Sequence, residues 1–294
     1  MGGTDLLTGP TSRAPGRWLR LGPMTRSIVS RHEGQQHGFI RRLVSPGDLG
    51  EALKPFVFLD ELRGAVPAGA GFGFHPHSGI ATLTYQLNAD VEYEDTAGQK
   101  GLVRATGLEW MRAGGGTWHQ AKLHPHAPIA HGFQLWLSLP PGVEDGPPEG
   151  RYLPPEAVPQ VGNVRVLLGE YGGKANPIPA PSPVTYLDVV LAAGEAWVFT
   201  PPAGQTVAWA FVYGGRVKVE GQPISRELVV LEESPAPVHL EALEPSRVLV
   251  GTGQRHEHPL VLGSHSVHTN EASLSRGVAQ IRAVAARLQR EGRL

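Results

Sequence analysis

Turn-forming residues constrain this chain more than any other feature: 38 glycines and 27 prolines are spread through its 294 residues. Neither residue suits the interior of a helix and both favour tight turns, so an all-β chain of short strands is expected rather than a helical bundle. The text between the turns agrees. From Gly79 to Asp95, Leu83, Tyr85 and Leu87, then Val91 and Tyr93, recur at period two, as in half-buried strands. Further strand candidates are "PFVFLDEL" (55–62), "LEWMRAGGGTWHQ" (108–120) and "GFQLWLSLP" (132–140). Apolar residues make up 40% and charged ones 18%, enough hydrophobic material for real cores.

The length suits two domains of similar size. Residues 140–159, dense in Pro, Gly and Glu, are the best linker. The expected division is a flexible extension over 1–26, an N-terminal domain over 27–140, a linker over 141–160 and a C-terminal domain over 161–294. Beyond the linker, "VRVLLGEY", "TYLDVVLAAG" and "TVAWAFVYGGRVKVEG" resume the strand pattern, and the two halves read as a weak repeat of one β-fold. The end of the chain changes character. After Thr269 or Asn270, either a good N-cap, Leu274, Val278, Ile281, Ala285 and Leu288 form one apolar stripe of an amphipathic helix. Arg276, Arg282, Arg287 and Arg290 are available for its solvent sides.

Several function classes are disfavoured. With 26 basic against 27 acidic residues the net charge is −1, which provides no electrostatic footprint for direct nucleic-acid binding and no polybasic membrane surface. Cysteine is absent, so disulfides, thiolate metal sites and a Cys nucleophile are excluded. No segment is apolar for the length of a membrane span, and a cytoplasmic protein is the default expectation.

The residues that can carry chemistry are histidines. His75 and His77, in "GFGFHPHSGI", stand at i and i+2, which on an extended segment directs both to one face. Pro76 between them removes a backbone donor and suits a strand edge. His119 lies one or two hairpins later, where an antiparallel barrel can bring it opposite. Three imidazoles suit zinc, iron, copper or nickel; the competing reading is three satisfied or surface histidines. Among nearby acids, Glu92, Glu94, Asp95 and Glu109, the last could orient an imidazole from outside the ligand set or simply face solvent. A second His-Pro-His, His124 and His126, with His131 beyond, reads as a loop, a pocket rim or a weak metal site. No phosphate loop, nucleophile elbow or dinucleotide fingerprint is present.

Taken in order, "KPFVFLDEL", "HPHSGIATLTY", "DTAGQKG", "LEWMRAGGGTWH" and "GFQLWLSLP" resemble the N-terminal domain of pirins, and "YLDVVLAAG…FVYGGRVKVEG" their C-terminal domain. "SVHTNEASLSRG" resembles the closing helix of bacterial members, so the likeness runs from about residue 27 to the end. It implies two antiparallel cupin β-barrels, a bicupin, with a C-terminal α-helix and a metal in the N-terminal barrel only. The metal expected is iron, with zinc, nickel, copper and manganese as alternatives. The family's His-x-His maps onto His75 and His77 and its later His onto His119. The family's Glu, two residues after that His, is Ala121 here, and the arginine-like position after the His-Pro-His is Ser78. Without the carboxylate the site should hold metal more weakly, or hold none. The resemblance implies either a quercetinase-type dioxygenase acting on a small aromatic or enolisable substrate, or a metal- or redox-responsive regulator that binds another protein. A metal-free relative is the third reading.

Overall fold

The computed structural model describes Met1 and residues 25–294. The expected flexible extension, 1–26, falls outside the described residues apart from Met1, Thr25 and Arg26. Of these, Arg26 is buried, and its guanidinium donates to the carbonyls of Ala236, Thr206 and Glu232.

The strands form two barrels of matching construction, each a seven-stranded sheet against a four-stranded one with antiparallel neighbours. In the first barrel the larger sheet runs Glu149–Leu153, Leu108–Arg112, Ile80–Gln86, Ala130–Ser138, Phe56–Gly64, Ile40–Val44, Gln35–His37. The smaller runs Gly71–His77, Thr117–Pro125, Ala89–Asp95, Lys100–Val103. In the second barrel, Val184–Leu191, Ser246–Gly253 and Val207–Gly214 are the central strands of the larger sheet. Ala196–Phe199, Val238–Ala242, Val217–Val219 and Gln222–Ile224 make the smaller. The all-β bicupin expectation holds.

Chain order and barrel membership diverge in two places. Ile28–His32 crosses over to become the edge strand beside Leu228–Leu231 of the second barrel. Inside the proline-rich stretch read as a linker, Glu149–Leu153 pairs with Leu108–Arg112. The reason is local: Leu153 is buried, and Tyr152 stacks on Tyr93 at 3.5 Å between ring centroids while donating to Asp95. An apolar residue and an aromatic at the end of a proline-rich stretch find partners that composition does not reveal.

The largest core lies between the barrels. Phe56, Tyr85 and Phe133 from one large sheet pack with Tyr186, Trp209 and Phe211 from the other, with Phe56 edge-on to Trp209 at 5.5 Å. Two buried acids cross this interface. Asp188 accepts from the hydroxyls of Tyr85 at 2.8 Å and Tyr213 at 2.6 Å. Glu61, 1% exposed, accepts from Arg41 (2.7 Å), Arg226 (2.8 Å) and His131 Nε2 (2.9 Å). The interiors of the two barrels differ. The second is filled by aliphatic side chains with Trp197 and Phe199, whereas the first holds a smaller cluster around Leu62, Val91 and Leu123 and keeps a cavity of about 380 Å³.

The C-terminal helix, Glu271–Arg290, begins as expected: the Asn270 side chain accepts from the Ser273 amide at 2.9 Å. Its buried residues are Ser273, Gly277, Val284 and Leu288, with Leu274, Val278, Ile281 and Ala285 half-buried, so the expected stripe is rotated toward smaller residues at its start. The cause is a close approach. A Cβ at Gly277 would lie 2.5 Å from Ser78 Oγ and 2.6 Å from His268 Nε2. Further along, Trp118 Nε1 donates to the Ile281 carbonyl at 3.0 Å. The helix therefore backs the strand that carries His119 and closely approaches Ser78, the residue after His77. Among the described residues no helix is long and apolar enough to cross a membrane.

Burial alone would raise the pKa of Glu61; hydrogen bonds from His131 and Arg226 and the charge of Arg41 outweigh it and hold the carboxyl down to about 2. Its contribution to stability is complete above the ordinary carboxylate value and is lost as pH falls from about 4.5 toward 2. Glu61→Gln is expected to cost about 3 kcal/mol at neutral pH, because three donors lose their anion. It should also flatten the fall in melting temperature over that acid range, as differential scanning calorimetry would show.

Candidate metal centre

His75, His77 and His119 meet at one end of the cavity. Gly71–His77 is the edge strand of the four-stranded sheet, which is where Pro76 can sit without breaking a ladder. Paired with Thr117–Pro125, it sets His75 directly opposite His119 and His77 opposite Thr117. Ring centroids are 4.4 Å apart for His75 and His119, 5.0 Å for His75 and His77, and 5.1 Å for His77 and His119. One nitrogen from each lies within 4.8 Å of the others. Past His119 the register slips, so that Ala121 faces Phe72, and both residues line the cavity.

The hydrogen bonds of the rings fix which nitrogen is free. His75 Nδ1 lies 2.8 Å from the Gly73 carbonyl, and His77 Nδ1 lies 3.3 Å from the His265 carbonyl. A carbonyl can only accept, so both Nδ1 atoms carry the proton and each Nε2 keeps its lone pair. Neither ring nitrogen of His119 has a hydrogen-bond partner, although both are buried. The Glu109 carboxylate lies 3.5 Å from its Nδ1 side, a contact without hydrogen-bond geometry. A buried imidazole with two unmet nitrogens, beside two others presenting lone pairs, fits a divalent cation better than it fits a satisfied core.

Electrostatics keep two of the three rings neutral. Burial, then repulsion from His119, pushes His75 down to about 4 and His77 well below its ordinary value. Neutral imidazole is the form that ligates, so at neutral pH protons do not compete for these two rings.

The cavity walls are aromatic on one side and polar on the other. Phe58 and Trp136 stack at 4.0 Å, and the Trp136 ring lies 4.9 Å from that of His77. Arg42 sits over Phe58 at 4.1 Å and pairs with Asp60, while Thr84 donates to Gln134. Ser264 and His265, both exposed and in the segment before the C-terminal helix, also line the cavity.

Other sequence candidates lie elsewhere. His124 contacts Glu92 at 3.3 Å and His126 contacts Asp90 at 3.1 Å, both on the exposed surface, and His131 belongs to the Glu61 cluster. The second His-Pro-His is thus neither a rim of this cavity nor part of its histidine group. Gln120 faces away, bonded to Glu94, and Asp95 is held by Tyr152. Ser78, next to His77, bonds Ser266 Oγ at 2.7 Å and His268 Nε2 at 2.9 Å, pinning the C-terminal segment against the site. Sequence reasoning did not single out the wall residues Phe58, Trp136, Arg42, Thr84 and Gln134, nor His265 and Ser264. The last two are distant in the chain and carry no local signal of a shared cavity.

The Pirin family model matches residues 39–137. Pirin of Mus musculus is 30% identical over 262 residues, covering 84% of this chain and 88% of that protein. A Pseudomonas aeruginosa protein whose name gives quercetin 2,3-dioxygenase as an inferred activity is 31% identical, over 76% of this chain and 82% of its own length. Among solved structures, quercetin 2,3-dioxygenase from Acinetobacter baumannii superposes with a TM-score of 0.81 at 24% identity, covering 88% of this chain and 98% of that one. The nickel(II) complex of the bacterial pirin YhhW from Escherichia coli superposes at 0.63 with 20% identity, covering 77% of this chain and 99% of that one. At these identities the structural likeness concerns the fold. Two matching barrels, one hollow and histidine-lined, define the molecule as a bicupin. The chain belongs to the pirin family.

Because His75 and His77 titrate lower in the folded chain than unfolded, their share of metal-free stability is complete above about pH 6.5 and falls as pH drops toward 4. A His75→Gln/His77→Gln variant is expected to flatten that slope in denaturant titrations at stepped pH. An unchanged slope would show that these two rings are not the neutral groups responsible.

Proposed function

We propose that the chain is a metal-dependent dioxygenase of the quercetinase type, with His75, His77 and His119 holding one divalent ion, iron in the first instance. The observation that carries the reading is the convergence of three imidazoles, with unengaged nitrogens, on a hollow cavity in only one of two otherwise matching barrels. The quercetin dioxygenase names among the relatives and the nickel complex of a structural neighbour support it.

A divalent ion at this place supplies Lewis acidity toward a deprotonated substrate oxygen and, if redox-active, an electron path to dioxygen. The protein's part is orientation and exclusion. Phe58 and Trp136 offer a flat apolar wall against which a planar aromatic ring can lie beside His77. Thr84, Gln134 and the Arg42–Asp60 pair offer hydrogen bonds to substituents at the polar end, and so choose the direction in which a small phenolic or enolisable substrate enters. A cavity of about 380 Å³ has room for a molecule of that size, which on binding would displace water from beside the imidazoles. Among the described residues two carboxylates line the cavity: Asp60 is paired with Arg42, and Glu109 stands beside His119. A substrate that is itself acidic would place the least demand on them as bases.

Ala121 gives a second reading its footing: its Cβ faces the cavity where the family carboxylate would stand. In that reading the protein is a metal-responsive regulator docking on another protein. Elemental analysis and oxygen uptake with a flavonol separate the two. About one equivalent of metal with oxygen consumption supports the dioxygenase, and one equivalent without consumption supports the regulator. His77→Ala is expected to lose stoichiometric metal while keeping the circular dichroism spectrum of the parent; unchanged metal content would remove the histidine assignment. Ala121→Glu is expected to tighten metal binding by adding an anion beside the three neutral rings.

A further inference from the structure

Six acidic residues are buried as whole residues among the described ones: Asp60, Glu61, Asp95, Glu109, Glu144 and Asp188. Five have evident partners. Asp60 pairs with Arg42, Glu61 with two arginines and a histidine, Asp95 with Tyr152 and the Gln99 amide. Glu144 is held by the Thr269 amide and hydroxyl, and Asp188 by two tyrosines. Glu109 differs. It is 3% exposed, it lines the cavity, and among the described residues no hydrogen-bond donor, lysine or arginine engages it. Its one charge-capable contact is His119 Nδ1 at 3.5 Å. A carboxylate largely removed from bulk water with no cationic partner is costly, so one that lines a cavity beside three imidazoles suits a place where a cation can bind.

The position is informative. Glu109 lies in the Leu108–Arg112 strand, paired opposite Thr84, a strand of the large sheet on the other wall of the barrel from His119. Its carboxylate approaches the Nδ1 side of His119, which leaves Nε2 for the centre. Ala121, on the same strand as His119, contributes no charge.

We propose that Glu109 supplies the negative charge that Ala121 lacks, acting through His119. With an ion on Nε2, the Nδ1–H of His119 becomes a stronger donor and the Glu109 carboxylate accepts from it, which orients the ring and raises its basicity toward the metal. The buried anion also offsets half of the double charge that three neutral imidazoles leave uncompensated. Glu109 is thus a positioning and charge-balancing residue of the centre rather than a catalytic one, and the site relocates its carboxylate rather than doing without it. This inference rests on the reading that the three imidazoles hold a divalent ion.

The test compares metal-free wild type, Glu109→Gln and Glu109→Gln/Ala121→Glu, each titrated with Co²⁺ and followed by visible absorption, with the melting temperature of each metal-free protein recorded. Glu109→Gln is expected to bind Co²⁺ 10- to 100-fold more weakly, the range seen when an outer carboxylate partner is lost, and to shift the d–d bands. Its metal-free melting temperature should stay level or rise, because an unpaired buried charge has been removed. A merely structural role predicts the reverse, a lower melting temperature with unchanged affinity. Adding Ala121→Glu should restore most of the lost affinity. Equal Co²⁺ affinity in wild type and Glu109→Gln overturns the role given to Glu109 alone. A wild type that binds no stoichiometric Co²⁺ overturns the histidine site itself, and this inference with it.

Discussion

Burial of the two large sheets against each other is the contact on which the rest of the molecule depends. The aromatic layer of Phe56, Tyr85, Phe133, Tyr186, Trp209 and Phe211 places the largest core between the barrels rather than inside either. Side chains of this size each remove a large apolar area from water, so the interface can hold the fold together without the first barrel being filled. The second barrel is the half whose interior is filled, with aliphatic residues beside Trp197 and Phe199. The first can therefore remain hollow. Asp188 and Glu61 cross the interface with several hydrogen bonds each, which makes the relative placement of the barrels specific as well as favourable.

The hollow barrel turns this economy of packing into a site. Edge strand Gly71–His77 has only one neighbour in its sheet, and its outer side is braced by the C-terminal segment and helix instead. Ser78, Ser266 and His268 form a buried polar contact one residue from His77, and Gly277 lets the helix approach that contact closely. The histidine end of the cavity is held by elements from both ends of the chain. A disturbance of the closing helix would therefore reach the imidazoles through the backbone rather than through solvent.

The most legible parts of this protein in its sequence were those set by short periods. Alternation along 79–95 announced strands, and Asn270 with the stripe after it announced the closing helix. The i, i+2 spacing of His75 and His77 put both rings on one face before any register was known. Two segments resisted the same treatment. Residues 149–153 read as linker because Pro, Gly and Glu surround them, yet Tyr152 and Leu153 find partners on a neighbouring strand. Ile28–His32 reads as part of the first half of the chain and is spatially part of the second barrel. In both cases composition describes the segment and not the surface waiting for it.

What the sequence determined by itself was local: strand and helix types, the absence of thiol chemistry, one histidine pair on one face, and an alanine at position 121. What only the tertiary structure decided was company. His119 comes to stand opposite His75 through a pairing register, Glu109 turns inward rather than to solvent, and His265 joins the cavity lining from the far end of the chain. The physical reason is that side-chain direction repeats every two residues along a strand and can be read from neighbours. Which strands become neighbours is settled by burying the large apolar faces of both barrels at once, and no short stretch of sequence contains that.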